Sequence, residues 1–270
     1  MPESPEVLHL TKYIKNNIKN KSLDSIKILK GRYIKHGPPN GYKQFIKQLP
    51  LKCLDVQKKG KVIFLYFEND WYLISKLGMS GWWYMDDDSP EWLPNYQNIV
   101  FTFNKKKLIF TDFRNFGTLT FTNDSQVLEY EINKLAPDIT DPTTNFKIIY
   151  ERVNNLTSFQ KKERLEDIII DQKIIVSGIG NYLKAEILYD AKINPLRKIS
   201  SLTKDDWLCI YNSTKKIIKK MMRVLDSDDP DKYMNSMKIY TRKIDPLGNK
   251  IKTHTTKTGR TTYYVPMVQK

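Results

Sequence analysis

The period of the apolar residues changes along this chain, and that change limits the folds open to it. From Pro5 to about Asn20, Val7, Leu10, Ile14 and Ile18 recur at three- and four-residue steps, which predicts an amphipathic helix. From about Ser25 to Phe121 the pattern breaks into short runs rich in β-branched and aromatic residues. They are Ser25–Leu29, Val62–Phe67, Trp71–Ser75, Ile99–Phe103, Lys107–Thr111 and Thr118–Phe121, with turn-like stretches such as Glu68-Asn69-Asp70 between them. Many short strands at this spacing predict an antiparallel sandwich or barrel. Residues 123–145, punctuated by Pro137 and Pro142, read as a connector. The helical period returns from Phe146 to about Leu225, in Ile168–Asp171, Tyr182–Ala191 and Trp207–Met222. The acidic stretch Asp226–Asp231 breaks it. Residues 238–270 then alternate as a hairpin: Ile239–Thr241, a Pro246–Asn249 turn, Ile251–His254, a Thr258-Gly259 turn and Thr261–Val265.

This is an α+β, multidomain pattern. The expected divisions are 1–122, a linker at 123–145, a helical region at 146–229 and a hairpin region at 230–270.

The charge balance narrows the partner. Formal net charge is +15, and residues 238–270 alone hold eight Lys/Arg against one Asp. Each Lys or Arg that neutralises a phosphate releases a counterion, so such a surface favours a polyanion. With five Trp and sixteen Tyr interleaved, nucleic acid fits better than a membrane surface. No run of about 18 apolar residues predicts a membrane span. No apolar leader follows Met1, so the expected location is intracellular, in nucleus or cytoplasm. Cys53 and Cys209 stand far apart, and with His9, His36 and His254 they give no structural-zinc spacing. Reduced thiols, no metal and no cofactor are expected.

The N-terminus carries the sharpest chemistry. Removal of Met1 from Met1-Pro2-Glu3-Ser4-Pro5-Glu6 leaves Pro2 as a free secondary amine. An α-amine has a pKa near ~8, so a useful fraction is neutral at pH 7. A neutral amine attacks an aldehyde-like carbon to form an iminium. The positive end of the predicted helix opposes an ammonium there, and Glu3 lies beside it as an acid/base. The structural reading of the same residues is that Pro and Glu favour a helix's first turn.

Four further segments each have an ordinary explanation alone. Lys59-Gly60-Lys61 precedes a strand, and a lysine there is usually just solvated. Leu77-Gly78-Met79-Ser80-Gly81 projects Met79, a residue that more often fills cores. Asp112-Phe113-Arg114-Asn115-Phe116-Gly117 projects Arg114 and Phe116. Ser177-Gly178-Ile179-Gly180-Asn181-Tyr182 is a Gly-x-Gly turn opening a helix; its N–H groups suit a phosphate, but a tight helix–helix turn needs the same glycines.

In this order and spacing, from end to end, the segments resemble the formamidopyrimidine-DNA glycosylase / endonuclease VIII family of base-excision repair enzymes. The resemblance implies an N-terminal antiparallel β-sandwich with a leading helix, a helix–two-turn–helix domain and an antiparallel hairpin finger. It implies a bifunctional glycosylase/AP lyase working as a monomer on damaged double-stranded DNA, oxidised pyrimidines such as thymine glycol favoured. Pro2 is then the nucleophile at C1′, and Glu3 protonates the sugar ring oxygen and shuttles protons. Lys61 contacts phosphate and assists elimination, and Asn181 with Gly180 holds a phosphate. Met79, Arg114 and Phe116 fill the gap left by a flipped base. Glu6 belongs to the lesion pocket. Family members usually end in a four-cysteine zinc finger; here Val265 and Val268 stand at the last two cysteine positions, and the first pair is missing around Asp245–Asn249. This resembles the zincless finger of some eukaryotic and viral relatives, with Arg260 as the finger arginine that grips phosphates and aids δ-elimination. The same features serve an alternative, a catalytically silent protein that binds damaged DNA.

Overall fold

The computed structural model describes residues 2–88, 90–91, 95–227 and 229–270. Met1, whose removal is expected, and Asp228 of the acidic break lie outside them. The chain divides into two compact units: Met1–Pro2 with Val7–Lys134, and Glu3–Glu6 with Leu135–Lys270.

In chain order the first elements are α1 (Ser4–Ile18), β1 (Ser22–Ile28), α2 (Arg32–Lys35), α3 (Tyr42–Phe45) and β2 (Leu51–Lys59). They continue with β3 (Val62–Phe67), β4 (Trp71–Lys76), β5 (Trp82–Met85), β6 (Gln97–Phe103), β7 (Lys106–Thr111), β8 (Thr118–Thr122) and α4 (Ser125–Asn133). The helix expected from the apolar steps forms, and Val7, Leu10, Ile14 and Ile18 are all buried in the first unit's core. Each such side chain contributes about 1.5–3 kcal/mol on burial.

Among the described residues these strands make one antiparallel sheet in the order β5-β7-β6-β1-β2-β3-β4-β8. β1 and β2 share a short register, Ser22↔Lys52 and Leu23↔Leu51, and the sheet folds over at that joint. The two halves face each other as a sandwich. Phe101 of β6 stacks on Phe121 of β8, far away in strand order, with ring centroids 6.4 Å apart. Phe45 of α3 plugs the same layer against Phe67, Trp71 and Phe121. Within the stretch read as a connector, α4 forms under an Asp124 N-cap whose carboxylate accepts from Gln126 N. It buries Leu128 alone, so it leaves little periodicity to read.

The second unit contains α5 (Phe146–Asn154), α6 (Ser158–Lys162), α7 (Leu165–Ile168), α8 (Asn181–Asp190), α9 (Lys204–Leu225), α10 (Pro230–Asn235), β9 (Lys252–Thr255) and β10 (Thr261–Tyr264). The core gathers Leu165, Ile168, Leu183, Ile187, Trp207, Ile210 and Ile217. α9 opens with a capping box, Thr203 and Asp206 exchanging side-chain and backbone bonds. α8 is buried on every face from Tyr182 to Tyr189, because it lies between α9 and the β9/β10 hairpin. That hairpin pairs Thr255 with Thr261 and Lys252 with Tyr264.

One expected strand is absent. Ile239–Thr241 is a turn, because the N–H groups of Lys238, Ile239 and Tyr240 wrap the buried Glu186 carboxylate at 2.9, 2.9 and 3.0 Å. N–H groups committed to a carboxylate cannot join a ladder. The Pro246–Asn249 turn is present, with Asp245 accepting from Leu247 N and Asn249 N.

Candidate active site

Glu3 is the N-cap of α1 and is almost fully buried. Its carboxylate accepts three backbone N–H groups at the start of α8: Gly180 N at 2.8 Å and Leu183 N at 3.1 Å on Oε2, Tyr182 N at 2.9 Å on Oε1. This is a helix N-terminus used as an anion site, with a carboxylate as the anion. The expectation that the Gly-x-Gly turn offers its N–H groups to a phosphate is corrected for Gly180, whose N–H is spent on Glu3. Gly180 is also obligatory, since a Cβ there would sit 2.3 Å from Glu3 Cδ. A Cβ on Gly178, at φ +108, would likewise sit 2.5 Å from the Oγ of the buried Ser4.

Glu6 completes half a capping box, Oε2 accepting Glu3 N at 2.8 Å. Its other oxygen accepts the Tyr182 hydroxyl at 2.6 Å and the Tyr233 hydroxyl at 3.1 Å. Burial pushes the Glu6 carboxyl up to about 7, against the Tyr182 hydrogen bond, which pulls the other way. Glu6, expected in a lesion pocket, is buried here with protein donors on both oxygens. Pro2 precedes Glu3 and is partly exposed.

Asn181 is the first residue of α8, and its Nδ2 donates to Thr261 O of β10 at 2.7 Å. One turn on, the buried Lys184 donates to Thr262 Oγ1 at 2.7 Å. Between the two strands, Thr256 ties the tip: Thr256 N donates to Arg260 O at 2.8 Å, and Arg260 N to Thr256 Oγ1 at 3.0 Å. Gly259 takes φ +74 there, and the Arg260 side chain is exposed.

Beneath the hairpin, Glu166 is fully buried. His254 Nδ1 lies 2.8 Å from its Oε1, and Arg164 Nη1 lies 2.8 Å from His254 Nε2. A guanidinium only donates, so Nε2 accepts and the ring proton sits on Nδ1, facing Glu166. The finger's interior is apolar: Val265 packs with Ala185, Tyr189, Ile239 and Ile251, and Val268 lies against them. A structural zinc needs four nitrogen or sulfur donors. The residues here do not fit it: valines stand at two positions, and Asp245 is occupied by Leu247 N, Asn249 and the Tyr189 hydroxyl.

In the first unit, Lys61 follows Gly60 (φ +57) in the tight β2–β3 turn. Met79, Arg114 and Phe116 come together on one exposed loop pair. Arg114 Nη1 lies 3.5 Å from Met79 Sδ, and a Cβ on Gly78 would sit 3.0 Å from Phe116 Cβ. The buried Asp112 organises them, accepting Gly117 N at 2.6 Å, Arg114 N at 3.3 Å and the Ser80 hydroxyl.

Several of these residues escape a reading of the sequence: Asp112, Glu166, Tyr182, Lys184, Glu186, Tyr233 and His254. For two there was a signal. Lys184 and Glu186 interrupt a helix that is otherwise apolar on all sides, and charges without a polar face are held by partners.

Three family models match the chain consecutively: the formamidopyrimidine-DNA glycosylase N-terminal domain at residues 1–119, its H2TH domain at 135–228 and its C-terminal domain at 229–270. The chain belongs to the formamidopyrimidine-DNA glycosylase family. The formamidopyrimidine-DNA glycosylase of Arabidopsis thaliana is 30% identical over all of this chain and 71% of its own length. That of Mycoplasma genitalium is 28% identical, covering 100% of this chain and 96% of its own. Among solved structures, the Lactococcus lactis glycosylase bound non-covalently to DNA containing an AP site superposes with a TM-score of 0.82. It is 23% identical and covers 99% of each chain. A MutM complex with DNA containing carbocyclic 8-oxo-G gives 0.82 at 23% identity, covering 100% of each chain. These structures share the fold of the chain: sandwich, helical domain and hairpin.

Proposed function

We propose that this family member is a bifunctional DNA glycosylase and abasic-site lyase of base excision repair, acting as a monomer on oxidised bases in duplex DNA, with oxidised pyrimidines favoured. The supporting observation is the placement of Glu3, a carboxylate fixed by three N–H groups and joined by one peptide bond to Pro2. With Met1 removed, the Pro2 nitrogen attacks C1′, and the bond from C1′ to the base breaks. The base leaves with the electron pair and takes up a proton. Glu3 protonates the ring oxygen, the sugar opens, and an iminium joins Pro2 to C1′. Loss of a C2′ proton then expels the 3′ phosphate, and δ-elimination expels the 5′ phosphate. Hydrolysis of the iminium frees Pro2. The product is a one-nucleotide gap with phosphate ends.

Lys61, Asn181 and Arg260 hold phosphates in this reading, with Gly180 shaping the turn beside them, and Met79, Arg114 and Phe116 occupy the space of the flipped nucleotide. The preference for pyrimidines rests on the finger's likeness to zincless relatives. The protein works inside the cell, in nucleus or cytoplasm.

The test is borohydride trapping on duplexes carrying thymine glycol, 8-oxoguanine or an abasic site. A covalent adduct mapped to Pro2, formed faster on thymine glycol than on 8-oxoguanine, is the expected result. No adduct on any of the three would leave a silent damaged-DNA-binding protein.

A further inference from the structure

Phe113 is 58% exposed, and its neighbour Tyr96 is 45% exposed. Their rings meet edge-on, with centroids 5.9 Å apart and planes at 69°. Large apolar side chains presented together at a surface mark a contact site. This one cannot fold away, because its loop is fixed from below. Asp112, the residue before Phe113, holds the N–H groups of Arg114 and Gly117 after it. Asn115, at φ +57, accepts Arg32 N at 3.0 Å and Asn98 Nδ2 at 3.4 Å.

The surroundings are cationic. Arg114 adjoins Phe113. Arg32 Nη1 reaches Asn115 O and Gly117 O, both at 3.4 Å, and Lys30 Nζ reaches Asn95 O at 3.2 Å, next to Tyr96. A ring face set among cations matches a nucleobase with its phosphates; neither an apolar peptide nor a second basic chain would be drawn to that charge.

We propose that Phe113, braced by Tyr96, is a stacking platform for an unpaired nucleobase, distinct from the gap assigned to Met79, Arg114 and Phe116. The proposal deepens the damaged-DNA reading and rests on it. Its consequence is a substrate preference: DNA in which a base next to the damage is also unpaired binds more tightly than damage in an otherwise paired duplex.

The experiment uses the full chain and a stable tetrahydrofuran abasic analogue. It is placed either in a paired duplex or in a small bubble with 2-aminopurine at the adjacent unpaired position. The wild type should quench the 2-aminopurine and bind the bubble about tenfold more tightly, the scale of one base–aromatic stack. Phe113→Ala should lose both effects, and Phe113→Tyr should keep them. Should Phe113→Ala lower the melting temperature, Phe113→Leu separates bulk from stacking: quenching lost with Leu supports the platform. Unchanged quenching and preference in Phe113→Ala or Phe113→Leu would overturn the platform and leave the glycosylase reading standing. A wild type that does not distinguish the abasic analogue from intact duplex would overturn both.

Discussion

Lys184 Nζ donates to Thr262 Oγ1 at 2.7 Å, so a fully buried ammonium on α8 anchors the finger strand that follows Arg260. Burial pulls this lysine down to about 8, while Glu166 and Asp167 favour its charged form. The finger therefore stands on two buried charged residues, Lys184 and Glu166, with the half-buried His254 and the exposed Arg164 outside them and apolar packing around Val265 beside them.

Lys184 and Glu166 attract each other through the interior without a direct contact, so removing either charge leaves the other less compensated, at a cost of up to the ~3–5 kcal/mol of a broken buried pair. Lys184→Met should lower stability in urea by that order, and Lys184→Met with Glu166→Gln should recover part of it. Additive losses in the double-mutant cycle would show that the two do not interact.

Glu6 makes folding pH-dependent. Its carboxyl is raised to about 7 in the folded protein from an ordinary value of 4.5. The folded state thus holds the proton more tightly than the unfolded state. That stabilisation is complete below 4.5 and is lost as pH rises through 7, at about 1.4 kcal/mol per pH unit in between. Glu6→Gln copies the protonated acid and should abolish that slope. Thermal melts of both proteins between pH 5 and 8 should diverge, the wild type losing stability as pH rises; parallel curves would refute the assignment.

Asp112→Ala should cost function as well as stability. It frees Arg114 N and the Ser80 hydroxyl toward the loop surface, where water replaces the lost acceptor, but leaves the buried Gly117 N unpaired, at about 1–3 kcal/mol. The loop carrying Arg114 and Phe116 then loses its fixed shape. The expected result is a kcat/KM reduced about tenfold or more on paired damaged duplex, with a melting temperature a few degrees below wild type. Equal activity would show that the loop's geometry is not needed.

Arg260 sits at a tip held by Thr256 and Gly259 through backbone bonds, and its side chain makes no part of the core. Arg260→Ala should leave stability within about 0.5 kcal/mol. It should lower the slope of log affinity against log salt by about one unit, as loss of one phosphate contact does. An unchanged slope would remove Arg260 from the phosphate contacts.

The elements with a strong period were legible in the sequence. The apolar steps of Val7, Leu10, Ile14 and Ile18 fixed α1, and the β-branched runs fixed most of the sandwich. Hidden were features decided by pairing between distant residues. Ile239–Thr241 alternates like a strand, yet Glu186, more than fifty residues earlier, takes its N–H groups. The Gly-x-Gly turn reads as a phosphate cradle, and nothing local shows that Glu3 occupies it. His254 stands on a strand whose sequence gives no hint of Arg164 and Glu166 beneath it. Periodicity reports burial; it does not report which buried group meets which.

Glu3 and Gly180 give the most discriminating prediction. Glu3→Gln offers Oε1 as an acceptor but turns an amide N–H₂ toward N–H donors that Glu3 now satisfies with two oxygens. It also cannot deliver a proton as a carboxylic acid does, so excision should be lost while lesion binding remains. Gly180→Ala tests the same geometry without altering the acid. Its Cβ, 2.3 Å from Glu3 Cδ, must displace the carboxylate from the start of α8. Both variants should therefore retain affinity for an abasic-analogue duplex within a few-fold, while single-turnover excision falls at least a hundredfold, the usual scale of a positioned acid/base. The comparison separates position from chemistry. If Glu3→Gln is inactive and Gly180→Ala works normally, Glu3 acts from a site other than the α8 N-terminus. If both excise normally, Glu3 is only a helix cap.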